Sequence, residues 1–517
     1  AYPEAIAMRC QKHTLTYEEL DVRSNQMANA LAKAGVVMGK KVALYLNRDE
    51  NMLPALLAVQ KLGATYVPLD PSYPVSRIQY IIGDAGAEVV VCNANNRNVF
   101  QEMENTSVVD LETCDVSNQP VTFELPASFD AAVPVYMIYT SGSTGNPKGV
   151  RIPQHALLNF LTAMKGRLTL GPDDALLAVT SLAFYISGLE LYLPLLSGAC
   201  VVVAGETEVK SANKLAGLID EHRITIMQGT PSLWQMLKET DWRPNEKFTV
   251  LCGGEALPVN LAQWFNAITG NAWNMYGPTE TTIWSSMAKI NNTDHVHIGT
   301  PIGNTQMFIL DEHLMPLPVG HVGELYIGGD GLAMDYHNRS ELTKEKFIQW
   351  QYKGHACKLF KTGDLARFNS DGSIVCLGRN DGQVKIQGYR IELGEVESKM
   401  MNLPEVDHAV VVVPQQDGPK AMVAYLKMKE ELPLDVLRSR LNLHLPAYMI
   451  PGKFILVESF PLTPNGKVDR KALGNLQQGK QLTGEGYVAP RTEREQLMAR
   501  LWEQVLDVEK VGINDNF

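Results

Sequence analysis

The sequence lacks a long apolar run, a basic block and a closely spaced cysteine pair. No stretch approaches the ~20 apolar residues that a membrane-spanning helix needs, so we expect no membrane span. Its 46 lysine and arginine residues are outnumbered by 57 aspartate and glutamate residues, which gives a net charge of −11. An acidic chain without a basic cluster is not expected to bind nucleic acid.

The cysteines are few, scattered and without a Cys-x-x-Cys pair. There are seven of them, an odd number: Cys10, Cys92, Cys114, Cys200, Cys252, Cys357 and Cys376. This pattern favours reduced thiols in a cytoplasmic protein over disulfides or zinc. The sequence also starts without methionine and without a signal-peptide pattern, so we interpret it as a piece of a longer protein.

One loop, residues 140–150, combines glycine, hydroxyl side chains and a lysine. It reads Thr-Ser-Gly-Ser-Thr-Gly-Asn-Pro-Lys-Gly-Val and follows an apolar strand pattern. Glycine allows backbone N–H groups to close around phosphate oxygens, while the hydroxyls and Lys148 add donors and positive charge. The spacing excludes the Gly-x4-Gly-Lys-Ser/Thr loop of kinases and GTPases. The loop therefore predicts a nucleotide site, the alternative being a Ser/Gly-rich surface loop.

Five further motifs follow in order along the chain. They are residues 276–282 (Tyr-Gly-Pro-Thr-Glu-Thr-Thr), 323–328 (Gly-Glu-Leu-Tyr-Ile-Gly), 361–367 (Lys-Thr-Gly-Asp-Leu-Ala-Arg), 378–390 (Gly-Arg-Asn-Asp-Gly-Gln-Val-Lys-Ile-Gln-Gly-Tyr-Arg) and 464–469 (Pro-Asn-Gly-Lys-Val-Asp). With the loop, they resemble the adenylate-forming superfamily of nonribosomal peptide synthetase adenylation domains, acyl-CoA synthetases and luciferases. The resemblance runs from about residue 1 to residue 475.

The resemblance implies a site for ATP and Mg²⁺. Lys467 would be the catalytic lysine between the acid and the α-phosphate, with Glu280 holding Mg²⁺ and Thr144 also catalytic. The residues implied for ATP binding are Thr140, Ser141, Ser143, Thr144, Lys148, Tyr276, Thr279, Asp364 and Arg379. Without the resemblance, Lys467 would read as a solvated turn lysine, Asp364 as a turn or capping residue and Arg379 as half of a surface ion pair.

Two positions near the 378–390 motif have their own implications. Relatives often carry an aromatic residue where this sequence has Cys376, so nucleoside packing at that point is not expected. Asp381 resembles the hinge about which a small domain rotates between adenylation and thioester formation. In the second state, residues 385–390 would approach the site as Lys467 leaves it. The alternative is an ordinary turn aspartate.

The acid pocket implied by the resemblance contains no acidic residue. In relatives that activate α-amino acids an aspartate pairs with the substrate ammonium, and its position is Tyr185 here. A buried ammonium without a carboxylate is costly, so we expect an acid without a free α-amino group. Candidates are an arylpropanoid, α-keto or α-hydroxy acid, with Gln228 and the Tyr185 hydroxyl as polar points. The other implied pocket residues are Ile186, Leu189, Leu251, Gly253, Met275, Ile283 and Trp284.

The pattern of apolar runs predicts an α/β fold. Short apolar strands at 42–46, 88–92, 135–139, 176–179, 200–203, 224–227 and 249–252 alternate with helix-period segments at 51–62, 155–166, 210–221 and 258–268. Such alternation indicates parallel sheets covered on both faces. We expect a large N-terminal core of two such sheets with a β-rich subdomain, and a small mobile C-terminal α/β domain.

The predicted domains are a core at 1–380, with its β-rich part at about 298–377, and a mobile domain at 381–475. A linker at 476–488 and the start of a peptidyl carrier domain at 489–517 would follow; the carrier part rests on an amphipathic helix at 492–507 and on resemblance. The alternative is a partner-binding or tail helix. The carrier's Gly-Gly-x-Ser motif is absent, so the phosphopantetheine attachment serine is not in this chain.

These observations predict an enzyme that forms acyl-AMP from a small carboxylic acid and ATP. It would release pyrophosphate and pass the acyl group to the phosphopantetheine of a carrier domain, as a module with downstream partners, such as a starter module of a hybrid synthetase. A free-standing acyl- or aryl-CoA ligase is one alternative. A second is an α-amino-acid-activating domain whose ammonium site has moved, for example to Glu190. A third is a silent acyl-adenylate-binding scaffold.

Overall fold

The computed structural model describes residues 2–93, 99–100, 103, 106–142, 145–240, 242–245, 247–291, 296–414, 421–430, 432–461, 468–474, 480–482, 489–506 and 510–513. The chain divides into two compact units. The first comprises Ala1–Gly142 and Asn146–Ile391, and the second includes Glu392–Phe517. This division follows residue 391, whereas the sequence predicts a domain boundary at 380/381.

The first unit is built from strands that alternate with helices. Its strands are β1 (Ile6–Cys10), β2 (His13–Thr16), β3 (Lys41–Tyr45), β4 (Thr65–Pro68), β5 (Val89–Cys92), β6 (Ser107–Asp110), β7 (Pro134–Thr140), β8 (Lys148–Pro153), β9 (Ala175–Ala178), β10 (Cys200–Val203), β11 (Ile226–Gly229), β12 (Thr249–Gly253), β13 (Ala272–Tyr276), β14 (Ser286–Lys289), β15 (Thr300–Pro301), β16 (Thr305–Leu310), β17 (Gly323–Gly329), β18 (Asp335–Tyr336), β19 (Phe347–Tyr352), β20 (His355–Phe368), β21 (Ile374–Arg379), β22 (Gln383–Ile386) and β23 (Tyr389–Glu392). Its helices are α1 (Tyr17–Lys33), α2 (Met52–Lys61), α3 (Val75–Ala85), α4 (Gln154–Arg167), α5 (Ser187–Ser197), α6 (Glu206–Val209), α7 (Ala212–Glu221), α8 (Pro231–Lys238), α9 (Val259–Ile268) and α10 (Ser340–Lys346).

Two large sheets contain most of the strands of this unit. One has the strand order β15-β14-β13-β12-β11-β9-β10-β1-β2, and the other β18-β8-β7-β4-β3-β5-β6. Strands β9 to β13 pair in parallel, as do β7, β4, β3, β5 and β6. Their central strands are apolar throughout and buried, because helices cover both faces of a parallel sheet. The predicted α/β class with two parallel-type sheets is confirmed.

A smaller antiparallel sheet follows, in the stretch of about 298–377 that the sequence predicts to be β-rich. Its order is β16-β17-β20-β19, and β21 pairs with β20. The β20–β21 hairpin places Asp364 directly opposite Arg379 in register, although 15 residues separate them in the chain. Two residues predicted for ATP binding are therefore neighbours by strand pairing.

The second unit is a small α/β unit. It contains α11 (Leu393–Met401), β24 (Val406–Val412), β25 (Val423–Met428), α12 (Leu434–Asn442), β26 (Lys453–Leu456), α13 (Arg470–Gly474), β27 (Lys480–Gln481) and α14 (Glu493–Leu506), and its sheet order is β24-β25-β26-β27. Helix α14 starts with a capping box, because the Thr492 hydroxyl accepts from Glu495 N while the Glu495 carboxylate accepts from Thr492 N. Among the described helices, none is both long enough and apolar enough to cross a bilayer.

Candidate active site

The hydroxyl of Tyr276 lies at the centre of the predicted nucleotide site. Tyr276 ends β13, and its hydroxyl donates a 2.5 Å hydrogen bond to Asp364 Oδ2. Burial, followed by the negative charge of Asp364, holds the pKa of Tyr276 well above its usual value, so the phenol stays protonated as a donor. Arg379 Nη1 lies 3.1 Å from the other oxygen, Asp364 Oδ1.

Arg379 also holds the predicted hinge residue. Its Nε and Nη2 atoms donate to Asp381 Oδ1 and Oδ2, each at 2.7 Å, and Nη2 donates to the Thr362 carbonyl at 3.0 Å. This parallel pair of bonds is the strong two-point geometry that guanidinium and carboxylate groups favour. Asp381 is therefore bonded to one of the residues predicted to bind the nucleotide, and it also starts the turn before β22.

Two threonine hydroxyls in this region lack partners. Thr140 Oγ1, at the end of β7, and Thr279 Oγ1, in the short turn after β13, are buried and without a hydrogen-bond partner in the described structure. A buried hydroxyl without a partner is costly, and such groups call for a ligand or water. Both belong to the residues predicted to bind ATP, so the region fits a polar ligand such as a nucleotide.

Two other residues of the 140–150 loop that are predicted to bind ATP already contact groups of the protein. Ser141 Oγ donates a 2.7 Å hydrogen bond to the Arg390 carbonyl. The ammonium group of Lys148 is buried and lies 5.0 Å from the centre of the Tyr336 ring. Ser143, Thr144 and the predicted catalytic Lys467 fall outside the described residues, and their roles stay predictions.

Glu280 is fully buried and faces a guanidinium. Arg390 Nη1 lies 2.7 Å from Glu280 Oε1 and 2.5 Å from Oε2, and the Tyr336 hydroxyl donates to Oε1 at 2.5 Å. Burial alone would raise the pKa of Glu280, but Arg390 and Lys148 outweigh it and lower the pKa to about 2. The carboxylate is therefore ionised and already paired.

This pairing does not fit a bound Mg²⁺ ion. Both oxygens of Glu280, the residue predicted to hold the metal, are taken by Arg390. The described residues also contain no cluster of three or more His, Cys, Asp or Glu side chains suited to a metal. In this arrangement a cationic side chain stands where the metal was expected.

The segment 385–390 reaches the same region. The Lys385 ammonium lies 6.0 Å from the centre of the Tyr276 ring, and burial lowers the pKa of Lys385. Gly388 N donates to Glu255 Oε1 at 2.8 Å, and the Tyr389 ring stacks on Phe184 at 5.9 Å. In the first unit, this segment therefore lies against residues that are predicted to bind the nucleotide, and its role in thioester formation stays a prediction.

All nine predicted pocket residues are buried in or beside one apolar cluster. They are Tyr185, Ile186, Leu189, Gln228, Leu251, Gly253, Met275, Ile283 and Trp284. Strands β11, β12 and β13 supply neighbouring positions of one sheet, since Gln228 pairs with Leu251 and Gly253 pairs with Met275 in register. Helix α5 supplies Leu189.

The amide of Gln228 is used entirely within the protein. Its Nε2 donates to the Ile186 carbonyl at 3.0 Å and to Glu190 Oε1 at 2.9 Å, and its Oε1 accepts from Trp284 Nε1 at 2.8 Å. In this arrangement the Gln228 amide is therefore engaged within the protein, and its role as a polar point for the substrate stays a prediction. The amide is engaged because a buried indole N–H and a buried carboxylate both need partners, and Gln228 satisfies them.

The carboxylate of Glu190 is bonded to groups of the protein. It is fully buried and accepts from Val179 N, Thr180 N, Thr180 Oγ1 and Gln228 Nε2. Burial raises the pKa of Glu190, while these donors oppose that effect. Four protein donors fill the two oxygens, so Glu190 is not free to receive a substrate ammonium.

Tyr185 is packed among aromatic rings and bonded to the backbone. Its hydroxyl donates to the Gly277 carbonyl at 2.9 Å, and its ring lies edge-on to Phe184 at 4.9 Å and to Trp284 at 6.2 Å. Burial raises the pKa of Tyr185, so its hydroxyl stays neutral. The Tyr185 hydroxyl, the second group expected to offer a polar contact to the substrate, is thus already bonded to the backbone at Gly277.

Trp284 presses directly on Gly253. A Cβ atom at position 253 would lie 2.5 Å from the Trp284 ring and 2.6 Å from the Met275 carbonyl. The two residues before the tryptophan, Thr282 and Ile283, have positive φ values of 58° and 70°. This conformation is strained for β-branched residues, and strained backbone concentrates at functional sites. This strained backbone leads directly into Trp284, whose ring packs on Gly253 of β12.

Sequence reasoning missed two features of the site. Tyr336, which contacts both Glu280 and Lys148, lies in no recognised motif, and nothing local in the sequence marks it. The pairing of Arg390 with Glu280 joins two motifs 110 residues apart in the chain, which only the fold could reveal.

Comparison with known families gives two matches along the chain. The profile described as "AMP-binding enzyme" matches residues 1–337. The profile described as "AMP-binding enzyme C-terminal domain" matches residues 395–467.

Curated relatives are similar over the whole chain. A dimodular nonribosomal peptide synthase of Bacillus subtilis (strain 168) is 41% identical over 528 residues, which cover 100% of this chain and 22% of the relative. Tyrocidine synthase 3 of Brevibacillus parabrevis is 39% identical over 531 residues, covering 100% of this chain and 8% of the relative. The chain therefore spans less than a quarter of the length of either relative.

Solved structures are similar as well. A four-domain nonribosomal peptide synthetase, holo-AB3403 bound to AMP and glycine, is 37% identical with a TM-score of 0.67, covering 99% of this chain and 38% of that one. An artificially fused adenylation–PCP di-domain, NpsA-ThdA from Klebsiella oxytoca, is 26% identical with a TM-score of 0.79, covering 88% of this chain and 91% of that one.

Proposed function

The chain belongs to the family of AMP-binding enzymes, as an adenylate-forming ligase of the nonribosomal peptide synthetase type, and we propose that it activates a small carboxylic acid without a free α-amino group. The product would be acyl-AMP, and the acyl group would pass to the phosphopantetheine thiol of a carrier domain. One observation carries the substrate part: the predicted ammonium position is Tyr185, whose hydroxyl is already bonded to Gly277.

ATP would bind at a site where the fold already positions the hydrogen-bonding groups. Asp364 would accept from the ribose hydroxyls, held between Tyr276 and Arg379. The unpartnered hydroxyls of Thr140 and Thr279 would donate to the nucleotide. Because these groups are oriented before the ligand arrives, little reorganisation is needed on binding.

In the proposed adenylation step, a carboxylate oxygen of the acid attacks the α-phosphorus of ATP. The new O–P bond forms as the bond to the bridging oxygen of the β-phosphate breaks, and pyrophosphate leaves with that electron pair. Two anions must meet, so cations are required beside them. Lys467 would supply one between the carboxylate and the α-phosphate, and Lys148 the other at the phosphates.

The absence of a free carboxylate among the described pocket residues supports an acid without an ammonium group. Tyr185 is neutral, and Glu190 is fully occupied by four protein donors. An ammonium buried among these groups would have no counter-charge, which costs several kcal/mol. The relocated ammonium site at Glu190 is therefore disfavoured.

The packing of Trp284 on Gly253 supports a short substrate. The indole occupies the space above the glycine, so a bulky aryl group would have to displace it. Among the candidates predicted from sequence, small α-hydroxy and α-keto acids fit better than arylpropanoids. The solved relative bound to AMP and glycine carries an acid of small size, although glycine has a free α-amino group.

The proposed partners are a carrier domain and further synthetase modules, in the cytoplasm. The similarity to an adenylation–PCP fusion supports a carrier partner, as does helix α14 of the predicted carrier start at 489–517. We further propose the mobile domain at 381–475, the linker at 476–488 and Asp381 as the hinge.

The test is acid-dependent ATP–pyrophosphate exchange across the proteinogenic amino acids, glycolate, glyoxylate, lactate, pyruvate, phenyllactate, phenylpyruvate, cinnamate and 3-phenylpropionate. Exchange with small hydroxy or keto acids, and little with amino acids, is the expected result. A preference for a free amino acid would refute the substrate class while leaving adenylation intact. Thioester formation on free coenzyme A, rather than on an added holo-carrier domain, would indicate the CoA ligase. No exchange with any acid, together with binding of acyl-AMP analogues, would indicate a silent scaffold.

A further inference from the structure

The nucleotide loop predicted at residues 140–150 joins two neighbouring strands of one sheet. Strands β7 and β8 on either side of it run antiparallel, and Tyr139 pairs with Gly149 in register. Strand β18 borders β8 on its other side, and His337 N donates to the Gly149 carbonyl at 2.8 Å. The sheet therefore fixes where the loop leaves and returns, but phosphate binding also depends on the direction of the backbone N–H groups within the loop.

The carboxylate of Asp84, in helix α3, is bonded to the strand that leads into the loop. The Tyr139 hydroxyl donates to Asp84 Oδ2 at 2.8 Å, and Arg339 Nη2 lies 3.1 Å from Asp84 Oδ1. The Asp84 side chain is only 11% exposed, so its pair with Arg339 is partly shielded from solvent. Asn338 Nδ2 also donates to the Asp84 carbonyl at 3.2 Å. Asp84 thus connects α3 with the end of β7 and with the segment that follows β18.

Arg339 extends these contacts to the loop itself. Its Nη2 atom also donates to the Tyr80 hydroxyl at 2.7 Å, and that hydroxyl donates to the Pro147 carbonyl at 3.2 Å. A phenol has one proton, so a hydroxyl that accepts from a guanidinium directs its own proton elsewhere, here to the loop. Tyr80 and Asp84 are four residues apart in α3 and therefore lie on one face of the helix. Pro147 directly precedes Lys148, which is predicted to bind the phosphates.

We propose that Tyr80, Asp84 and Arg339 are positioning residues that hold the nucleotide loop in its phosphate-binding conformation. The inference rests on the proposed role of this loop in binding ATP. A glycine-rich loop loses conformational freedom when it closes on a ligand, and a loop that is already held loses less. The three residues would act on the triphosphate through the loop, whereas the adenosine part of ATP would bind at Tyr276 and Asp364.

The experiment compares ATP with adenosine, each titrated by calorimetry into the unaltered chain and into Tyr80→Phe. Loss of the bond to Pro147 should weaken ATP binding by about threefold to tenfold, the range for one hydrogen bond, and leave adenosine binding unchanged. The KM for ATP should rise by the same factor, while the KM for the acid stays constant. A purely structural role of Tyr80 would lower the melting temperature without this difference between the two ligands.

Tyr45→Phe is the matched control. The Tyr45 hydroxyl also donates to a proline carbonyl, that of Pro71 at 3.4 Å, and both tyrosines pack in the same apolar cluster. This variant should bind ATP and adenosine as the unaltered chain does. Unchanged ATP affinity in Tyr80→Phe, or an equal loss of affinity for ATP and adenosine, would overturn the proposal.

Arg339→Gln tests whether the guanidinium acts through Tyr80. It should weaken ATP binding selectively as well, because the Tyr80 proton is then no longer directed to Pro147. The double variant Tyr80→Phe with Arg339→Gln should weaken ATP binding by less than the product of the two single effects, since both changes remove the same contact. Independent, fully multiplicative effects would overturn the proposed coupling.

These binding measurements are separable from the test of the proposed function. A chain that shows no acid-dependent exchange, yet loses ATP affinity selectively in Tyr80→Phe, would refute adenylation and support the positioning role. Normal exchange with an unaltered ATP affinity in Tyr80→Phe would refute the positioning role alone. An unaltered chain that binds ATP no more tightly than adenosine would overturn both, because the loop would then contribute nothing to phosphate binding.

Discussion

Arg379 holds Asp381 through two parallel hydrogen bonds of 2.7 Å, and the same guanidinium contacts Asp364. The proposed hinge and the proposed ribose-binding carboxylate are thus coupled through one side chain. A change at the hinge position should therefore be felt in nucleotide binding.

Asp381→Asn should raise the KM for ATP by about fivefold, since one charge-assisted bond on a partly exposed carboxylate contributes about 1 kcal/mol. Weakening of the Arg379–Asp381 pair would allow Arg379 to tilt away from Asp364. Steady-state exchange kinetics measure the effect. Asp371→Asn is the control. Asp371 lies on the turn between β20 and β21, and its carboxylate accepts hydrogen bonds from the nearby Ser373. An unchanged KM for ATP in Asp381→Asn would show that the proposed hinge residue does not influence nucleotide binding.

Tyr276→Phe removes the hydroxyl that donates to Asp364 and leaves the ring. We expect a free energy of unfolding lower by about 1–2 kcal/mol and a KM for ATP raised by about tenfold, because the buried carboxylate keeps only Arg379. Thermal unfolding and exchange kinetics measure the two effects. Tyr326→Phe is the matched control, with a longer 3.4 Å contact to Glu324. Equal behaviour of the two variants would argue against the nucleotide role of Tyr276.

Tyr185→Asp places a carboxylate where amino-acid-activating relatives have one. The variant should gain exchange with small amino acids, at least about tenfold over the unaltered chain, because a buried ion pair replaces an uncompensated ammonium. Tyr185→Phe should not gain it, since it only removes the bond to Gly277. If neither variant activates an amino acid, although both retain exchange with the native acid class, the ammonium position lies elsewhere.

Gly253→Ala should disturb the pocket floor. The new methyl group would meet the Trp284 ring at 2.5 Å, so the indole must move or the strand must shift. Overpacking of this kind costs about 1–3 kcal/mol, and exchange should fall by about tenfold or more. Gly270→Ala is the control, because no atom lies within 4 Å of its added methyl group. Full activity with a normal melting temperature would show that the indole is free to move.

Much of this protein follows from its sequence. The apolar runs predicted seven strands of the two parallel sheets to within about two residues, namely β3, β5, β7, β9, β10, β11 and β12, because a strand buried on both faces must be apolar throughout. They did not predict β1, β4, β6 and β13, which pair in parallel in the same sheets. The motifs predicted which residues would gather, and Tyr276, Asp364 and Arg379 do form one hydrogen-bonded cluster. The lack of an acidic residue among the predicted pocket residues also follows from the sequence, since it depends on residue type alone.

The tertiary structure decided what each polar group is bonded to. The sequence offered Gln228 and Tyr185 to the substrate, but buried polar groups must find partners, and Trp284, Glu190 and Gly277 were nearer. It assigned Glu280 to a metal, yet the fold brings Arg390 to both of its oxygens. Residue type determines which partners a side chain can accept, whereas packing between distant strands and turns determines which partner it meets.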